Sequence, residues 1–407
     1  MKWIKRGALA LAVMGVIGVG AFWSKIQDVR ALMAYAAVFE ADTIDENFRT
    51  LYQTYPSITI ERAGPIADFE VETEADVFPT TYDFDGKALP TDALFQEFHW
   101  TGMIVLRDGK LIHETYARGN SAETNHIEMS VTKSLTSILI GVARDEGYLP
   151  DLNAPVTSFV PELKGTGYDG VTIQQVLDMT SGIRYVEDYD DLNSDIVLTV
   201  VATLRGSLDE FSTTMVRQRE PGTFNQYASI ETQVLAWILR RATGQSYEAY
   251  FQEKLWSKIG AEGNAEMLVD QTGVPVAFGG ANLRLRDLAR VGQMLANGGT
   301  SMTGAEVVSS EWLLRSTTTD TPQSKPGDHD KSDYALGYKN QWWIPTNRDG
   351  GEFTAIGIYG QFLYVNPARG VVIAMNSAYP DYNEKPETEL QMVAALQAIA
   401  KNVSPDR

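Results

Sequence analysis

The chain has 407 residues, a formal net charge of −19 at pH 7 and no cysteine. The length allows two lobes, and the negative charge argues against nucleic acid as a partner. The absence of cysteine excludes disulfides, thiolate catalysis and cysteine metal sites. The four histidines form no HxxxH or HxH pair, so we predict neither a metal site nor a cofactor.

The first 24 residues have the pattern of an export signal. Three basic residues precede an uncharged, mostly apolar run from Gly7 to Ser24, which is typical of a signal peptide or a membrane anchor. Val19-Gly20-Ala21 is a candidate cleavage site, whereas Trp23 and Lys25 suit the far interface of an uncleaved anchor. We expect an exported protein, either periplasmic or anchored in the inner membrane facing the periplasm. A buried helix at the start of the chain is the alternative.

The next elements mix helix and strand. Residues 25–64 read as a helical, then extended lead-in, and 65–407 as the main domain. The stretch "TGMIVLRDGKLIHETYARG" predicts a hairpin, because the alternating runs Met103–Leu106 and Leu111–Tyr116 flank Asp108-Gly109. The stretch "SVTKSLTSILIGVARDEGYL" predicts a helix that ends at Gly147.

Helical patterns fill residues of about 150–290, and strands return late. "SIETQVLAWILRRATGQ" and "ANLRLRDLARVGQMLANGG" predict helices, "YGQFLYV" and "GVVIAMNS" predict strands, and a last helix is expected from Glu387 to Lys401. This order favours an α+β fold with an antiparallel sheet flanked by helices and an inserted helical lobe. A cleft between the two parts is the expected place for a site.

The stretch "MSVTKSLTS" places Ser130 three residues before Lys133 at the start of a predicted helix. Residues three apart share a helix face, and free backbone N–H groups in the first turn favour negative charge. A buried Lys133 would have a lowered pKa and could accept the serine proton. One such spacing arises by chance about as often as not in a chain of this length. The alternative is a helix cap beside a solvated lysine.

A second element lies further along the chain. "EPGTFNQYASIETQVLAWIL" places Tyr227 two residues before Ser229, just ahead of an apolar helix. A phenol at this position can deliver or receive a proton at the site. The alternative is that Ser229 caps the helix and Tyr227 packs.

With both elements in order, residues of about 85–400 resemble the serine β-lactamase-related superfamily, in particular its class C-like branch. The segments "VTIQQVLDMTSGI" and "ANLRLRDLARVGQMLANGG" are also similar to family segments. Within it, "ENFRTLYQTYPS", "IRYVEDYDD" and "GIYGQFLYVNP" are most similar to the 6-aminohexanoate-oligomer hydrolases. The resemblance implies a β-lactamase/transpeptidase-like fold.

The resemblance also implies roles. Ser130 would be the acylated nucleophile, Lys133 its base, and Tyr227 the phenol that relays the proton to the leaving group. The family's Lys-Thr-Gly strand element is replaced here by Ile358-Tyr359-Gly360-Gln361. The backbone N–H of Gln361 would complete an oxyanion hole with that of Ser130. Ile358 stands where β-lactamases carry a cation, which disfavours β-lactam antibiotics as substrates.

Further substrate contacts are expected from Tyr359, Gly360, Ser229 and one of two tyrosines. Tyr185 and Tyr189, in "RYVEDYD", resemble a tyrosine-bearing loop over the cleft of the amide hydrolases. Either can point inward, or both can be surface aromatics. Ser229 replaces the Asn of the family's Y-x-N element and offers less reach.

We therefore expect a serine hydrolase that cleaves an amide or ester bond of a small molecule through an acyl-enzyme, similar to the 6-aminohexanoate-oligomer hydrolases and esterases. A D-peptidase or weak β-lactamase acting on cell-wall-type substrates is one alternative. A catalytically silent envelope binding module is another, although the presence of Ser130, Lys133 and Tyr227 together argues against it. The natural substrate and the oligomeric state stay open.

Overall fold

The computed structural model describes residues 26–27, 29–72, 76–327 and 330–405. The predicted export segment, residues 1–24, lies outside them. Within the described part of the chain, every helix is too short or too polar to cross a bilayer. The lead-in contains a helical stretch at 29–37, followed by helix α1 and strand β1.

Most helices of the described part of the chain lie between residues 131 and 317, with the others before and after this region. They are α1 (Ile44–Thr54), α2 (Thr91–Glu97), α3 (Val131–Asp145), α4 (Ile173–Leu177), α5 (Asp195–Arg205), α6 (Leu208–Ser212), α7 (Ser229–Thr243), α8 (Tyr247–Phe251), α9 (Leu285–Ala296), α10 (Ser310–Thr317) and α11 (Glu387–Val403).

The strands cluster before residue 130 and after residue 264. They are β1 (Ser57–Ile60), β2 (Glu70–Val71), β3 (Thr81–Phe84), β4 (Lys87–Pro90), β5 (Trp100–Arg107), β6 (Lys110–Tyr116), β7 (Asn125–Ile127), β8 (Ala265–Leu268), β9 (Ala281–Arg284), β10 (Gly337–Lys339), β11 (Trp342–Ile344), β12 (Phe353–Gly357), β13 (Gln361–Asn366) and β14 (Val371–Ser377).

The main sheet has eight strands in the order β10-β11-β12-β13-β14-β5-β6-β2. Its pairs are antiparallel except β2 with β6. The predicted hairpin is confirmed as β5 and β6, and its turn residues Asp108 and Gly109 have φ of 50° and 81°, as a type I′ turn requires. All seven residues of β14 are buried, so both faces of the sheet are covered there.

Helix α9 packs closely against this sheet. A Cβ on Gly292 would lie 2.4 Å from Val372 Cγ1 and 2.8 Å from Leu363 Cδ1, so only glycine permits this approach. The sequence prediction started this helix too early. Residues 281–284 form β9, because pairing with β7 and β8 outweighs their helical periodicity.

A second, four-stranded sheet has the order β1-β8-β9-β7. It joins the lead-in to the catalytic region, because β1 pairs with β8 over all four of its residues. Strand β7 ends three residues before Ser130. This sheet, which the sequence did not predict, therefore sets where the chain enters α3.

Candidate active site

Ser130 lies at the point where the chain leaves β7 and enters α3. The preceding residue, Met129, has φ of 45°, a backbone conformation that is strained for a residue with a side chain. Ser130 is the N-cap residue of α3, yet its hydroxyl caps no backbone N–H. The half-buried hydroxyl is therefore available for chemistry at the positive end of the helix.

Lys133 lies one turn further along α3 and reaches back to this hydroxyl. Its Nζ is 2.8 Å from Ser130 Oγ and donates a hydrogen bond of 2.8 Å to the carbonyl of Phe278. The side chain is 1% exposed, and this burial lowers the pKa of Lys133 to about 7, while the charge of Glu187 acts in the opposite direction. A sizeable fraction of the amine is therefore neutral near pH 7 and can accept a proton.

Tyr227 is the third side chain of the site and lies beside Lys133. The Lys133 amine lies 4.8 Å from the centroid of its ring, and the ring stacks on Trp343 at 5.3 Å. Burial, reinforced by the charge of Glu187, raises the pKa of Tyr227 well above its ordinary value, while an interaction with the Ser130 side chain lowers it. The phenol therefore stays protonated and is a proton donor rather than a standing base.

Glu187 is a member of the site that the sequence analysis did not single out. Ser229 donates to its carboxylate from the backbone N–H at 2.9 Å and from Oγ at 2.5 Å, and the Tyr189 hydroxyl donates at 2.9 Å. The Ser229 hydroxyl, a predicted substrate contact, is thus engaged with Glu187. It caps no N–H of α7, because that N-cap is Ala228.

The two candidate tyrosines lie in different environments. Tyr189 borders both cavities that open at Ser130. Tyr185 borders neither. It is 1% exposed and its hydroxyl pairs with Thr199 Oγ1 of α5 at 2.7 Å. The structure therefore gives the predicted substrate contact of Tyr185 no geometric support, because its side chain packs into the core behind the loop.

The turn between β12 and β13 brings a single residue to the site. Ile358 borders both cavities beside Ser130, whereas Tyr359, Gly360 and Gln361 border neither. Gln361 is fully buried, and its side-chain amide donates to the carbonyl of Ser377 at 2.7 Å. Tyr359 stacks on Phe39 at 4.7 Å, one layer behind the cavity wall. A turn residue other than the predicted ones thus contacts the space at the nucleophile.

Glycine at position 357 allows this turn to approach the nucleophile. A Cβ on Gly357 would lie 2.6 Å from the carbonyl oxygen of Glu128, two residues before Ser130. A larger residue would push the turn away from the start of α3.

Two cavities meet at Ser130. The first, which we call the wide cleft, has a volume of about 630 Å³ and is also bordered by Tyr227, Trp343 and Ile358. Its described lining includes no lysine, arginine or histidine, but five carboxylates border it: Glu187, Asp188, Asp190, Asp333 and Glu389.

The second, which we call the narrow cavity, has a volume of about 120 Å³ and lies between the lead-in, α5 and Phe278. Its described lining is mostly apolar and includes no charged side chain. Ser130, Tyr189 and Ile358 border both cavities, so the nucleophile stands where two chemically different spaces join.

Comparison with known proteins agrees with this geometry. The Beta-lactamase family model matches residues 91–397. The 6-aminohexanoate-dimer hydrolase of Paenarthrobacter ureafaciens is 36% identical over 344 residues, which is 82% of this chain and 85% of that protein.

Solved structures have the same fold. One from Bacillus anthracis, described provisionally as a 6-aminohexanoate-dimer hydrolase, superposes with a TM-score of 0.79 at 25% identity and covers 90% of this chain and 96% of its own. A family VIII carboxylesterase superposes with a TM-score of 0.55 at 19% identity, over 75% of this chain and 95% of its own. At that identity the second likeness concerns the fold alone.

The family match covers most of the chain and includes Ser130, Lys133 and Tyr227. The fold, the family and the reaction class expected from the sequence are thereby confirmed. The chain belongs to the β-lactamase family and is a serine hydrolase of the branch that cleaves amides and esters.

Proposed function

We propose that the protein hydrolyses amides and esters of small molecules through an acyl-enzyme formed on Ser130. Ser130 Oγ attacks the carbonyl carbon while the neutral amine of Lys133 takes the hydroxyl proton. Tyr227 then passes a proton to the nitrogen or oxygen of the leaving group as the carbon–heteroatom bond breaks, and it regains a proton from the Lys133 ammonium. The observation that carries this proposal is the 2.8 Å contact between Ser130 Oγ and the buried Nζ of Lys133.

The second half-reaction uses the same groups in reverse. A water molecule attacks the acyl carbon and gives its proton to the neutral amine of Lys133, and Ser130 Oγ leaves with a proton returned to it from Lys133. Lys133 and Tyr227 thus return to their starting protonation states within one cycle, which uses no metal or cofactor.

The oxyanion formed in both steps needs backbone donors near Ser130. We assign this role to the N–H groups of Ser130 and Ile358, in place of the predicted Gln361. Ile358 borders both cavities at the nucleophile, whereas Gln361 is fully buried and borders neither.

Linear amides are the substrate class to test first. The relative from Paenarthrobacter ureafaciens is named for 6-aminohexanoate dimers, so this dimer, its counterpart with an uncharged hexanoyl half and simple esters form the first panel. Penicillin-type substrates are disfavoured for two reasons. Ile358 offers no cation to their carboxylate, a contact of roughly 1.5–3 kcal/mol, and five carboxylates border the wide cleft. We expect nitrocefin to be turned over far more slowly than p-nitrophenyl butyrate.

The deciding test is Ser130→Ala. It should abolish both turnover and covalent labelling by a fluorophosphonate, a loss of about 10⁴-fold or more. Ser137→Ala is the matched control, since Ser137 lies on the same helix and its buried Oγ has no hydrogen-bond partner among the described residues. Labelling that persists in Ser130→Ala would assign another nucleophile. A wild-type protein that is neither labelled nor active would support the silent binding module.

We further propose that the protein is exported, on the basis of the basic start and the apolar run of residues 7–24. Alkaline phosphatase fused after residue 64 should be active outside the cytoplasm, and membrane fractionation with and without residues 1–24 would separate an anchor from a cleaved signal. An inactive fusion would remove this part of the proposal.

A further inference from the structure

We infer that the narrow cavity and the wide cleft receive different halves of the substrate. This follows from the position of Tyr227, which borders the wide cleft and does not border the narrow cavity. An amine leaving group receives its proton from Tyr227, so it departs into the wide cleft, and other leaving groups at the same carbon take the same side. The carbonyl carbon is bonded to Ser130 Oγ at that moment. The remaining substituent of this carbon, the acyl chain, then extends into the other space at Ser130, which is the narrow cavity.

The walls of the narrow cavity suit an uncharged chain. Ile196, Val200 and Leu204 line it from α5, one turn apart along the same helix face. Phe278 and Leu268 also line it. No described lining residue carries a charge, so an ionised group would lose its hydration without gaining a partner.

The size of the cavity limits the chain. An apolar protein cavity of about 150 Å³ holds benzene. A cavity of about 120 Å³ therefore holds a chain of about four to six carbon atoms.

The roof of the cavity is supplied by residues 35–55 of the lead-in. Tyr35, Val38, Phe39, Leu51 and Tyr55 border it. This segment precedes residues 91–397, the part of the chain that matches the family model. The roof thus lies outside the matched region, and it borders the acyl side of the site.

The roof is packed firmly onto the fold. Phe39 stacks on Tyr359 at 4.7 Å, and Phe48, which is fully buried, meets Tyr359 edge-on at 5.6 Å. The Asn47 side chain donates to the carbonyl of Val38 at 2.9 Å and so ties α1 to the stretch before it. Such a roof presents a fixed wall to a substrate.

We propose that the narrow cavity is an acyl-chain site that selects unbranched, uncharged acyl groups of about four to six carbon atoms, with its length limit set by the roof and α5. The proposal rests on the proposed function, because it uses the acyl-enzyme on Ser130 to place the chain. It adds the substrate class on the acyl side, which the catalytic residues alone do not determine.

The test is a chain-length series of p-nitrophenyl esters, in which the leaving group stays constant. We expect kcat/KM to rise about fourfold for each methylene from acetate to butyrate. It should be highest for butyrate or hexanoate, and at least about tenfold lower for decanoate, which exceeds the cavity. Equal values from acetate to decanoate would overturn the proposal.

Two neighbouring valines of α5 provide a matched pair of variants. Val200 borders the narrow cavity and Val201 does not, and both are half-buried. Val200→Phe should fill the cavity and lower kcat/KM for hexanoate at least about tenfold while acetate changes by less than about twofold. Val201→Phe should leave the ratio of hexanoate to acetate unchanged. Equal ratios in the two variants would overturn the proposal.

Circular dichroism would show whether Val200→Phe folds. If it does not, Leu204→Ala provides a second test. It enlarges the same cavity, so the optimum should move toward octanoate, and an unmoved optimum would count against the acyl-chain site. Failure of the proposed function looks different. In that case no ester is hydrolysed and no fluorophosphonate label forms, which overturns both proposals, whereas brisk acetate turnover with a flat length profile overturns only this one.

Discussion

The two spaces that meet at Ser130 differ in chemistry and in part of their walls. The wide cleft of about 630 Å³ is bordered by five carboxylates and by Tyr227, and its described lining lies in the region matched by the family model. The narrow cavity of about 120 Å³ is apolar and is roofed by residues 35–55, which precede that region. The difference suggests that proton transfer to the leaving group belongs to the wide cleft and that acyl selection belongs to the narrow cavity, to which the lead-in contributes one wall. Mutations should therefore change proton transfer and acyl selection independently.

Removing the base should affect both sides of the site equally. Lys133→Met is expected to lower kcat/KM by about 10³-fold or more for every ester, because proton removal from Ser130 precedes any contact with the acyl chain. Steady-state kinetics on acetate and hexanoate esters would measure it. The ratio of the two should match that of the wild type, and a changed ratio would show that Lys133 also shapes the narrow cavity.

The pH dependence should identify the same amine. Burial lowers the pKa of Lys133 to about 7, and only the neutral amine accepts the serine proton. The kcat/KM of the wild type should therefore fall about tenfold per pH unit below pH 7 and level off above it. A pH–rate profile that stays flat between pH 5 and 8 would contradict the assignment of Lys133 as the base.

The lowered pKa of Lys133 also makes the free energy of unfolding depend on pH. The pKa is about 7 in the folded protein and 10.5 in the reference state, so the unfolded chain binds more protons between these values. The free energy of unfolding should rise with pH across that window, and the cost of the buried charge should be complete below pH 7. Urea unfolding at pH 6 and pH 9 would measure it. Lys133→Met should lose this contribution, so its stability should change less across the window.

Removing the phenol should affect only the leaving-group side. Tyr227→Phe is expected to lower amide hydrolysis by about 10²-fold or more, because an amine leaves only after it is protonated. A p-nitrophenyl ester should lose less than about tenfold, since p-nitrophenolate leaves without a proton. The chain-length optimum should not move, because Tyr227 does not border the narrow cavity. Equal losses on amides and esters would refute the relay role.

Replacing Glu187 should have a smaller effect on activity than replacing Lys133 or Tyr227. Its charge raises the pKa of Lys133 against the lowering by burial, so Glu187→Gln should shift the acidic limb of the pH–rate profile to lower pH. It should also improve turnover of nitrocefin relative to a neutral ester, by about two- to tenfold, because one carboxylate facing the anion is removed.

Glu210→Gln on α6 is the matched control for this change. Glu210 is exposed and borders neither cavity. If the acidic limb of the pH–rate profile shifts equally in both variants, the shift is caused by the change in net charge and not by Glu187 itself.

Local spacing predicted part of this site and could not predict the rest. Ser130 and Lys133 meet because residues three apart share a helix face, which sequence alone reveals. The carbonyl of Phe278, which holds the amine, is 145 residues away, and no local pattern indicates it. The start of α9 was misplaced for the same reason, since residues 281–284 follow the ladder with β7 and β8 rather than their helical period. The roof was predicted only as a lead-in, because its contacts with Tyr359 depend on the tertiary fold.

The two tyrosines of the loop provide the smallest and sharpest test of the comparison. Both are tyrosines four residues apart in one loop, so Tyr185→Phe and Tyr189→Phe make the same chemical change. Tyr185 pairs with Thr199 away from both cavities. Its loss should cost about 1 kcal/mol of stability, seen as a lower midpoint in urea, with kcat/KM within about twofold of the wild type.

Tyr189 borders both cavities and donates to Glu187 at 2.9 Å. Its change to phenylalanine removes that donor, so the carboxylate loses one of three hydrogen bonds that hold it beside the site. We expect kcat/KM to fall about three- to tenfold, with less effect on stability than in Tyr185→Phe because Tyr189 lines open space. The reverse pattern, with activity lost in Tyr185→Phe and kept in Tyr189→Phe, would mean that the loop takes a different path in the working enzyme. Tyr185, rather than Tyr189, would then lie where the two cavities meet.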